Sequence, residues 1–246
     1  MTLALMRSLA RLFTLQGSWN YERLQGIGFG VAEEPLLRDL VRNGDAAAYR
    51  AALARGARFF NAHPYLSGLA VGAVARAEHQ GASPAQVERL RAALCGPLGS
   101  LGDRLVWAGW LPLTSALAVA GVALGLGWTA IVGFLAVYNA GHVALRWWAL
   151  RAGWTHGLDV AAALHQPLLQ RAATLSGPAM AFATGLALPL AARYLATPFH
   201  GWPRAALAAA AAAGAALLWW RQGTLTGLRF GLGLLALALV GGLAWR

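Results

Sequence analysis

The apolar positions of this chain change character near residue 104. Before that point apolar residues recur at helical spacing between polar ones, which predicts short amphipathic helices. After it come long apolar runs, each near the roughly 20 residues that one membrane crossing requires. The runs are Leu105–Leu126, Trp128–Leu150, Leu175–Leu195, Arg204–Trp220 and Leu225–Trp245. The pattern predicts an all-α, polytopic membrane protein with an amphipathic helical region over 1–104 and a transmembrane region of about four to five helices over 105–246.

Turn and capping residues mark helix boundaries in the first region. Residues 43–45 read Asn-Gly-Asp, a turn signal, and Asp45 is placed to cap the helix that follows. Ser83 at the N-cap, with Pro84 at the first helical position, predicts another helix that runs to about Leu94.

Two segments interrupt the helical pattern. Residues 61–65 contain a proline, which pushes the residue before it out of the helical region. The apolar piece Leu66–Ala77 has Gly68 and Gly72 spaced for close helix contact and is too short to span alone, so a re-entrant hairpin fits it. The glycine-rich segment 96–103 predicts a bend where the chain enters the membrane.

The first 15 residues form an amphipathic pattern. Arg7 and Arg11 are interspersed among apolar residues, without the uninterrupted apolar core and cleavage site of a secretory signal peptide. We expect a helix that lies on the membrane surface or docks on a partner helix.

Composition supports the membrane assignment and limits the function classes. The chain is 58% hydrophobic, and Asp159 is its only acidic residue after position 104. Its net charge of +11 comes from arginines scattered among apolar runs, which does not favour nucleic-acid binding. With Cys95 as the single cysteine, an intrachain disulfide and a multi-cysteine metal site are excluded.

The densest polar stretch lies near the start, at residues 16–30. It combines amides, a carboxylate, a tryptophan and a tyrosine in an otherwise apolar protein. Such groups suit a polyhydroxylated ligand, because amides and carboxylates bind hydroxyl groups and a flat ring packs against a sugar face. An interfacial helix with an aromatic anchor explains the same residues equally well.

Few other residues carry chemistry. His63, beside an asparagine and aromatic residues at a helix break, could bind a hydroxyl group, although a structural role is the commoner one for a lone histidine. The six histidines show no i, i+4 pairing, and no serine lies in a Gly-x-Ser-x-Gly context. Asp103 could cap the first span or pair with Arg104. We therefore expect no catalytic residue, no metal site and no cofactor.

Four blocks in this order resemble the IID subunits of the mannose/fructose/sorbose family of the bacterial sugar phosphotransferase system (PTS). The blocks are Leu15–Gly26, Phe59–Leu66, Gly96–Asp103, and Leu145–Trp148 followed by Gly157–Asp159. Together they extend over about two thirds of the chain, which makes the resemblance specific.

The resemblance implies a multi-pass subunit of the bacterial inner membrane that forms a hetero-oligomer with a IIC subunit. The two subunits would conduct a hexose, which soluble IIA and IIB components, or a fused IIAB, phosphorylate. These soluble components would carry the phosphoryl group on histidines of their own. By analogy we expect sugar contacts from this chain at Gln16, Asn20, Glu22, Asn61 and His63. Membrane lipid is a further expected partner, and nucleic acid is not.

The sequence also departs from the family pattern. Glu33 and Glu34 occupy a stretch that is usually less acidic, His142 stands where a basic residue is expected, and the region after Asp159 is compact and alanine-rich. A degenerate IID-like subunit with a regulatory or scaffolding role and no transport is therefore the alternative.

Overall fold

A computed structural model describes residues 2–197 and, beyond them, only residues 209, 212–214, 216 and 220. Contacts within the chain define two compact units, residues 1–191 and 192–246. The predicted span Leu225–Trp245 lies outside the described residues, as does all but a few positions of Arg204–Trp220.

The described part is mostly helical, and its only strand-like pairings are two isolated bridges at Leu24. In chain order the helices are α1 (Thr2–Leu12), α2 (Gly26–Arg42), α3 (Ala46–Gly56), α4 (Ser67–His79), α5 (Pro84–Gly102), a π-helix (Asp103–Trp110), α6 (Leu111–Ala123), α7 (Trp128–His156), a short 3-10 helix (Gly157–Asp159), α8 (Ala161–Leu164) and α9 (Pro167–Ala196). The all-α fold class predicted from the sequence is confirmed.

Both predicted helix caps are present. The Asp45 carboxylate accepts a hydrogen bond from the Ala48 backbone N–H at 2.8 Å. The Ser83 hydroxyl accepts one from the Gln86 N–H, while the Gln86 side chain accepts one from the Ser83 N–H. This reciprocal pair is a capping box, and it fixes where α5 begins.

The segment after the Ser83 cap differs from its prediction. Residues Pro84–Ala123 form one continuous helical run of 40 residues, so the helix does not end near Leu94, and Gly96–Asp103 is not a bend. Gly102 serves helix packing instead. A Cβ atom on Gly102 would overlap the His63 side chain, so the missing side chain allows α5 to lie directly against that histidine.

Three helices of the described part are long and apolar enough to cross a membrane. They are Pro84–Ala123, Trp128–Asp159 and Pro167–Leu195, and they contain most of the first three predicted spans. These helices make the chain a membrane protein.

Helix α4 packs against α7 through glycines. A Cβ atom on Gly72 would overlap the Leu150 carbonyl oxygen, and one on Gly153 would overlap the Leu69 carbonyl oxygen. Gly68 also lies against the α7 backbone, near the Leu150 N–H. The close contact predicted for Gly68 and Gly72 is therefore confirmed, and it buries most of α4.

Helix α1 docks on α2 of its own chain. Leu5 and Leu12 are buried, and the Ser8 hydroxyl donates a hydrogen bond to the Ala32 carbonyl oxygen at 2.7 Å. Leu3 and Met6 on the opposite face are exposed. We predict that this exposed face lies on the membrane surface or docks on a partner helix.

A carboxyl group lies inside this helical core. Glu33 of α2 is fully buried, and neither of its oxygens has a hydrogen-bond partner among the described residues. The charged groups that face it are Arg91 of α5, Glu78 of α4 and Arg55 of α3, of which Arg55 and Glu78 pair with each other. Burial raises the pKa of Glu33 to about 8, with Arg91 opposing the rise.

Replacing Glu33 with glutamine tests this protonation state. Between the unfolded pKa of 4.5 and the folded pKa of about 8, the folded chain keeps a proton that the unfolded chain has lost, so wild-type stability falls as pH rises. Glu33→Gln has no such proton. At pH 8 it should therefore be more stable than wild type by a few kcal/mol, because each unit of difference between the folded and unfolded pKa contributes about 1.4 kcal/mol. Near pH 4.5 the difference should vanish. Unfolding of the detergent-solubilised protein followed by circular dichroism measures both.

The neighbouring residue is the matched control. Burial raises the pKa of Glu34, but hydrogen bonds from Arg38, Arg11 and Tyr49 outweigh it and the net pKa is lowered. Glu34→Gln should therefore lose stability relative to wild type at neutral pH, and the loss should shrink as pH falls. A Glu33→Gln variant that behaves like Glu34→Gln would contradict a neutral Glu33.

Candidate functional site

An irregular segment, residues 59–66, connects α3 to α4 and is held by the loop that precedes α2. The Gln25 N–H donates to the Phe60 carbonyl oxygen at 2.9 Å, and the Phe60 N–H donates to the Arg23 carbonyl oxygen at 3.2 Å. Leu24 adopts a positive φ of 49° to make this pairing. The two polar regions singled out in the sequence therefore lie side by side.

The Gln25 side chain completes the connection. Its amide N–H donates to the Ala62 carbonyl oxygen at 2.7 Å, and its amide oxygen accepts from the Ala62 N–H at 3.3 Å. The same oxygen accepts from the Ser67 hydroxyl at the start of α4. Gln25 is 3% exposed, so it acts inside the protein as a backbone-like partner for the irregular segment.

A buried arginine fixes the chain just before this segment. Arg91 of α5 donates to the carbonyl oxygens of Gly56 and Arg58 at 3.0 and 3.1 Å. Its guanidinium lies 4.3 Å from the centroid of the Phe29 ring. The C-terminal end of α3 is thereby tied to both α5 and α2.

A second buried arginine fixes the other end. Arg146 of α7 donates to the carbonyl oxygens of Leu12 and Pro64 at 2.6 and 3.1 Å and lies 4.6 Å from the centroid of the Tyr65 ring. Within the described part of the chain, no carboxylate lies within ion-pair distance of it. Its positive charge is therefore balanced by carbonyl dipoles and a ring face.

The glycines at the end of the polar stretch serve packing. A Cβ atom on Gly26 would overlap the Arg58 carbonyl oxygen, and one on Gly28 would overlap the Leu15 carbonyl oxygen. The first turn of α2 thus lies directly against the backbone on both sides. Within the polar stretch, ligand-binding side chains are therefore expected only among residues 16–25.

These elements line an open polar cavity of about 640 Å³. It is lined by Gln16, Gln25, Phe59, Asn61, Ala62, His63, Pro64, Cys95, Gly96, Gly99, Ser100, Asp103 and Trp107. Three of the five residues expected to contact a sugar, Gln16, Asn61 and His63, therefore line the same cavity. Cavities of this size hold small ligands.

The other two expected residues lie elsewhere. The Asn20 side-chain oxygen accepts from the backbone N–H groups of Glu22 and Arg23, and so holds a turn. The Glu22 carboxylate is largely exposed and lies 3.5 Å from the Arg23 guanidinium. Neither residue lines the cavity, because the turn that Asn20 stabilises directs this part of the loop to the surface.

The structure adds residues that the sequence reasoning missed. Besides Gln25, the continuous helix contributes Gly96, Ser100, Asp103 and Trp107, which recur every three or four positions and so share one face. This spacing is typical of one face of a helix and is present in the sequence. The prediction of a bend over 96–103 placed these residues outside a helix, so their common face was missed. The Asp103 carboxylate does not cap the N-terminus of a helix, has no ion pair or hydrogen bond within the described residues, and is exposed at the cavity.

His63 is held in one tautomer. Its Nδ1 atom accepts a hydrogen bond from the Tyr65 backbone N–H at 3.2 Å, so the proton of the neutral ring resides on Nε2. Burial, and to a smaller extent the charge of Arg146, lower the pKa of His63 to about 4. The ring is therefore neutral at physiological pH, and its Nε2–H group has no acceptor among the described residues.

The lining can bind a polyhydroxylated molecule. Amides donate and accept hydrogen bonds, the Asp103 carboxylate accepts them, and the Phe59 and Trp107 rings offer flat apolar faces. No group of three potential metal-ligating side chains occurs among the residues that the structure describes.

The contact between Gly102 and His63 yields a test of how the site is held. Gly102→Ala should lower the free energy of unfolding by about 1–3 kcal/mol, because the new methyl group overlaps the His63 side chain. Gly96→Ala is the control on the same helix. Its Cβ atom meets nothing within 4 Å, and it should be neutral or stabilising by roughly 0.5–1 kcal/mol. Equal effects in thermal or denaturant unfolding would contradict the described packing.

A family model and several curated relatives match most of the chain. A family model described as the PTS system mannose/fructose/sorbose family IID component matches residues 2–182. The mannose-specific EIID component of Escherichia coli (strain K12) is 29% identical over 161 residues, 63% of this chain and 56% of that protein. The sorbose-specific EIID component of Klebsiella pneumoniae is 32% identical over 161 residues, 63% of this chain and 58% of that protein. The matched part thus spans a little over half the length of these relatives.

Solved structures share the fold. The "CryoEM Structure of Mannose Transporter ManYZ and Microcin E492 (MceA) complex" contains a chain with a TM-score of 0.58 and 21% identity, and the match covers 99% of this chain and 97% of that one. A second, described as "Structure of membrane protein", has a TM-score of 0.74 and 20% identity with the same coverage.

The family model extends over more than half of the chain, and it includes all four sequence blocks and every residue that lines the polar cavity. The chain belongs to the IID components of the mannose/fructose/sorbose family of the PTS.

Proposed function

We propose that this chain is the IID membrane subunit of a mannose-family PTS permease in the bacterial inner membrane. With a IIC subunit it forms the path by which a hexose enters the cell, coupled to phosphorylation by IIA and IIB components. The observation that carries the proposal is the polar cavity, where Gln16 of the opening loop meets Asn61 and His63 beside a long apolar helix.

The chemistry of the cavity supports a sugar over other ligands. Its single carboxylate, Asp103, and its neutral amides suit uncharged hydroxyl groups better than an anion. His63 is neutral, its Nδ1 atom already accepts from the Tyr65 N–H, and its Nε2–H group remains available to donate to a hydroxyl group of a sugar.

The exposure of the lining supports a shared site. Gln16, Asn61 and Asp103 are exposed in the isolated chain, and the Phe59 ring is 57% exposed. Sugar sites exclude most water, so a second subunit is expected to cover these groups. The transporter whose fold this chain shares is described by a two-subunit name, ManYZ, which supports a IIC partner for this chain.

Cys95 gives a direct test. It is the only cysteine of the chain and lines the cavity, with its Sγ atom 3.4 Å from the Arg91 carbonyl oxygen. N-ethylmaleimide should modify Cys95 in membranes that contain the cognate IIC subunit and should block sugar uptake. A transported hexose should slow this modification by about tenfold at concentrations ten times its dissociation constant, because bound sugar fills the cavity.

Two controls make the result specific. A Cys95→Ala variant should transport normally and resist the reagent, and a non-transported sugar should give no protection. If every hexose tested leaves the modification rate unchanged while uptake proceeds, the cavity is not the sugar site. If cells with the cognate IIC take up the hexose equally well with and without this chain, the regulatory or scaffolding alternative holds instead.

Substitutions at the cavity test the individual contacts. Asn61→Ala and His63→Ala should each lower the apparent affinity for hexose by about tenfold, the effect of losing one hydrogen bond of roughly 1.4 kcal/mol. Glu22→Gln is the matched control, because Glu22 is polar and belongs to the same region but does not line the cavity. Uptake kinetics measure the effect, and co-purification with IIC shows that assembly is intact. Unchanged affinity in both alanine variants would contradict the assignment.

A further inference from the structure

Ala62 lies between two of the residues that line the polar cavity, Asn61 and His63. Residues 61–63 belong to neither a helix nor a strand. Within the described part of the chain, no backbone–backbone hydrogen bond involves Asn61 or Ala62. Regular secondary structure therefore does not set the direction in which the side chains on either side of Ala62 point.

The Gln25 side chain binds both backbone groups of Ala62 instead. The Ala62 N–H belongs to the planar peptide unit that joins it to Asn61, and its C=O group belongs to the unit that joins it to His63. The Gln25 amide oxygen accepts from that N–H at 3.3 Å, and the amide N–H donates to that carbonyl oxygen at 2.7 Å. One side chain thus holds the two peptide planes from which Asn61 and His63 extend.

Gln25 is itself held firmly. Its side chain is buried, and its backbone N–H donates to the Phe60 carbonyl oxygen at 2.9 Å, one residue before Asn61. The next residue, Gly26, lies so close to the Arg58 carbonyl oxygen that a Cβ atom would overlap it. Because its own backbone is fixed, Gln25 can fix the position of Ala62.

The two hydrogen bonds require an amide at this position. The side chain of glutamine both donates and accepts, whereas an ionised glutamate only accepts. Methionine has nearly the same length and flexibility but can form neither bond with useful strength. Asparagine keeps the amide and is one methylene group shorter. Substitutions can therefore separate the hydrogen bonding of Gln25 from the space that it fills.

We propose that Gln25 is a positioning residue of the sugar site. By holding both peptide units of Ala62, it orients Asn61 and His63 toward the ligand in the polar cavity. The proposal rests on the proposed function, since it takes the hexose as that ligand. Gln25 sets the affinity for the sugar through its two neighbours and not through a contact of its own.

A double-mutant cycle in the assembled permease tests this role. Gln25→Met is made in the wild-type chain and in a chain that carries both Asn61→Ala and His63→Ala, each expressed with the cognate IIC subunit. The probe is whichever of radiolabelled mannose, fructose and sorbose the wild-type permease takes up. Uptake kinetics give the KM and the maximal rate, and co-purification with IIC measures assembly.

Gln25→Met should raise the KM about tenfold in the wild-type chain and leave the maximal rate within about twofold, because misdirected side chains lose hydrogen bonds to the sugar. In the chain with both alanines the same substitution should change the KM less than about twofold, since the residues it acts through are gone. A merely structural role predicts the same effect in both chains.

Ser8→Ala is the control for a lost buried hydrogen bond. Ser8 is buried and donates to the Ala32 carbonyl oxygen, but it does not line the cavity. It should lower thermal stability and leave the KM unchanged. Gln25→Asn replaces Gln25→Met if the methionine variant fails to assemble with IIC, because it keeps a polar group while no longer reaching Ala62.

An unchanged KM in the Gln25 variant, or an equal rise in both chains, would overturn the positioning role and leave the proposed function intact. Loss of assembly in both Gln25 variants while Ser8→Ala assembles would make the role structural and would overturn the proposal too. If the chain with both alanines keeps the wild-type KM, Asn61 and His63 do not bind the sugar, and the proposed site falls together with this inference.

Discussion

The described architecture depends on satisfying the backbone of one irregular segment, residues 59–66, inside a largely apolar protein. Water cannot solvate buried N–H and C=O groups there, so each needs a partner from the chain itself. Gln25 provides two of these partners and Arg146 provides one at Pro64, while Arg91 holds the chain just before the segment at Gly56 and Arg58. Because these three side chains come from three different regions, the segment also joins the opening loop, α5 and α7.

The same constraint explains why the polar cavity lies where it does. Because other side chains bind the backbone of the segment, the side chains of Asn61 and His63 can line the cavity. Gly102 then allows α5 to lie close enough to form the opposite wall, since a Cβ atom there would displace His63. The proposed sugar site therefore has a rigid frame of buried hydrogen bonds and an exposed side that a second subunit can cover.

Local signals in the sequence predicted much of this fold. The caps at Asp45 and Ser83 and the close contact at Gly72 follow from rules that act within one turn of a helix, and the structure confirms them. The segment 96–103 was wrongly predicted to bend, because propensity counts glycine against a helix and cannot see the histidine that packs on it.

The sequence did not predict which residues that are distant along the chain lie together in the fold. Polarity singled out Gln16, Asn61 and His63, and the structure places them around one cavity. Polarity equally favoured Asn20, whose side chain instead satisfies its own turn. Arg146 reaches Leu12 across 134 positions of sequence, a distance over which no spacing rule operates.

The most direct measurement is a cryo-EM structure of this chain assembled with its IIC subunit in lipid and saturated with a transported hexose. The account predicts sugar density against Asn61, Asp103 and Trp107, with the IIC subunit covering the exposed side of the polar cavity. Hexose density confined to the partner subunit, with lipid or bulk water at these side chains, would contradict it.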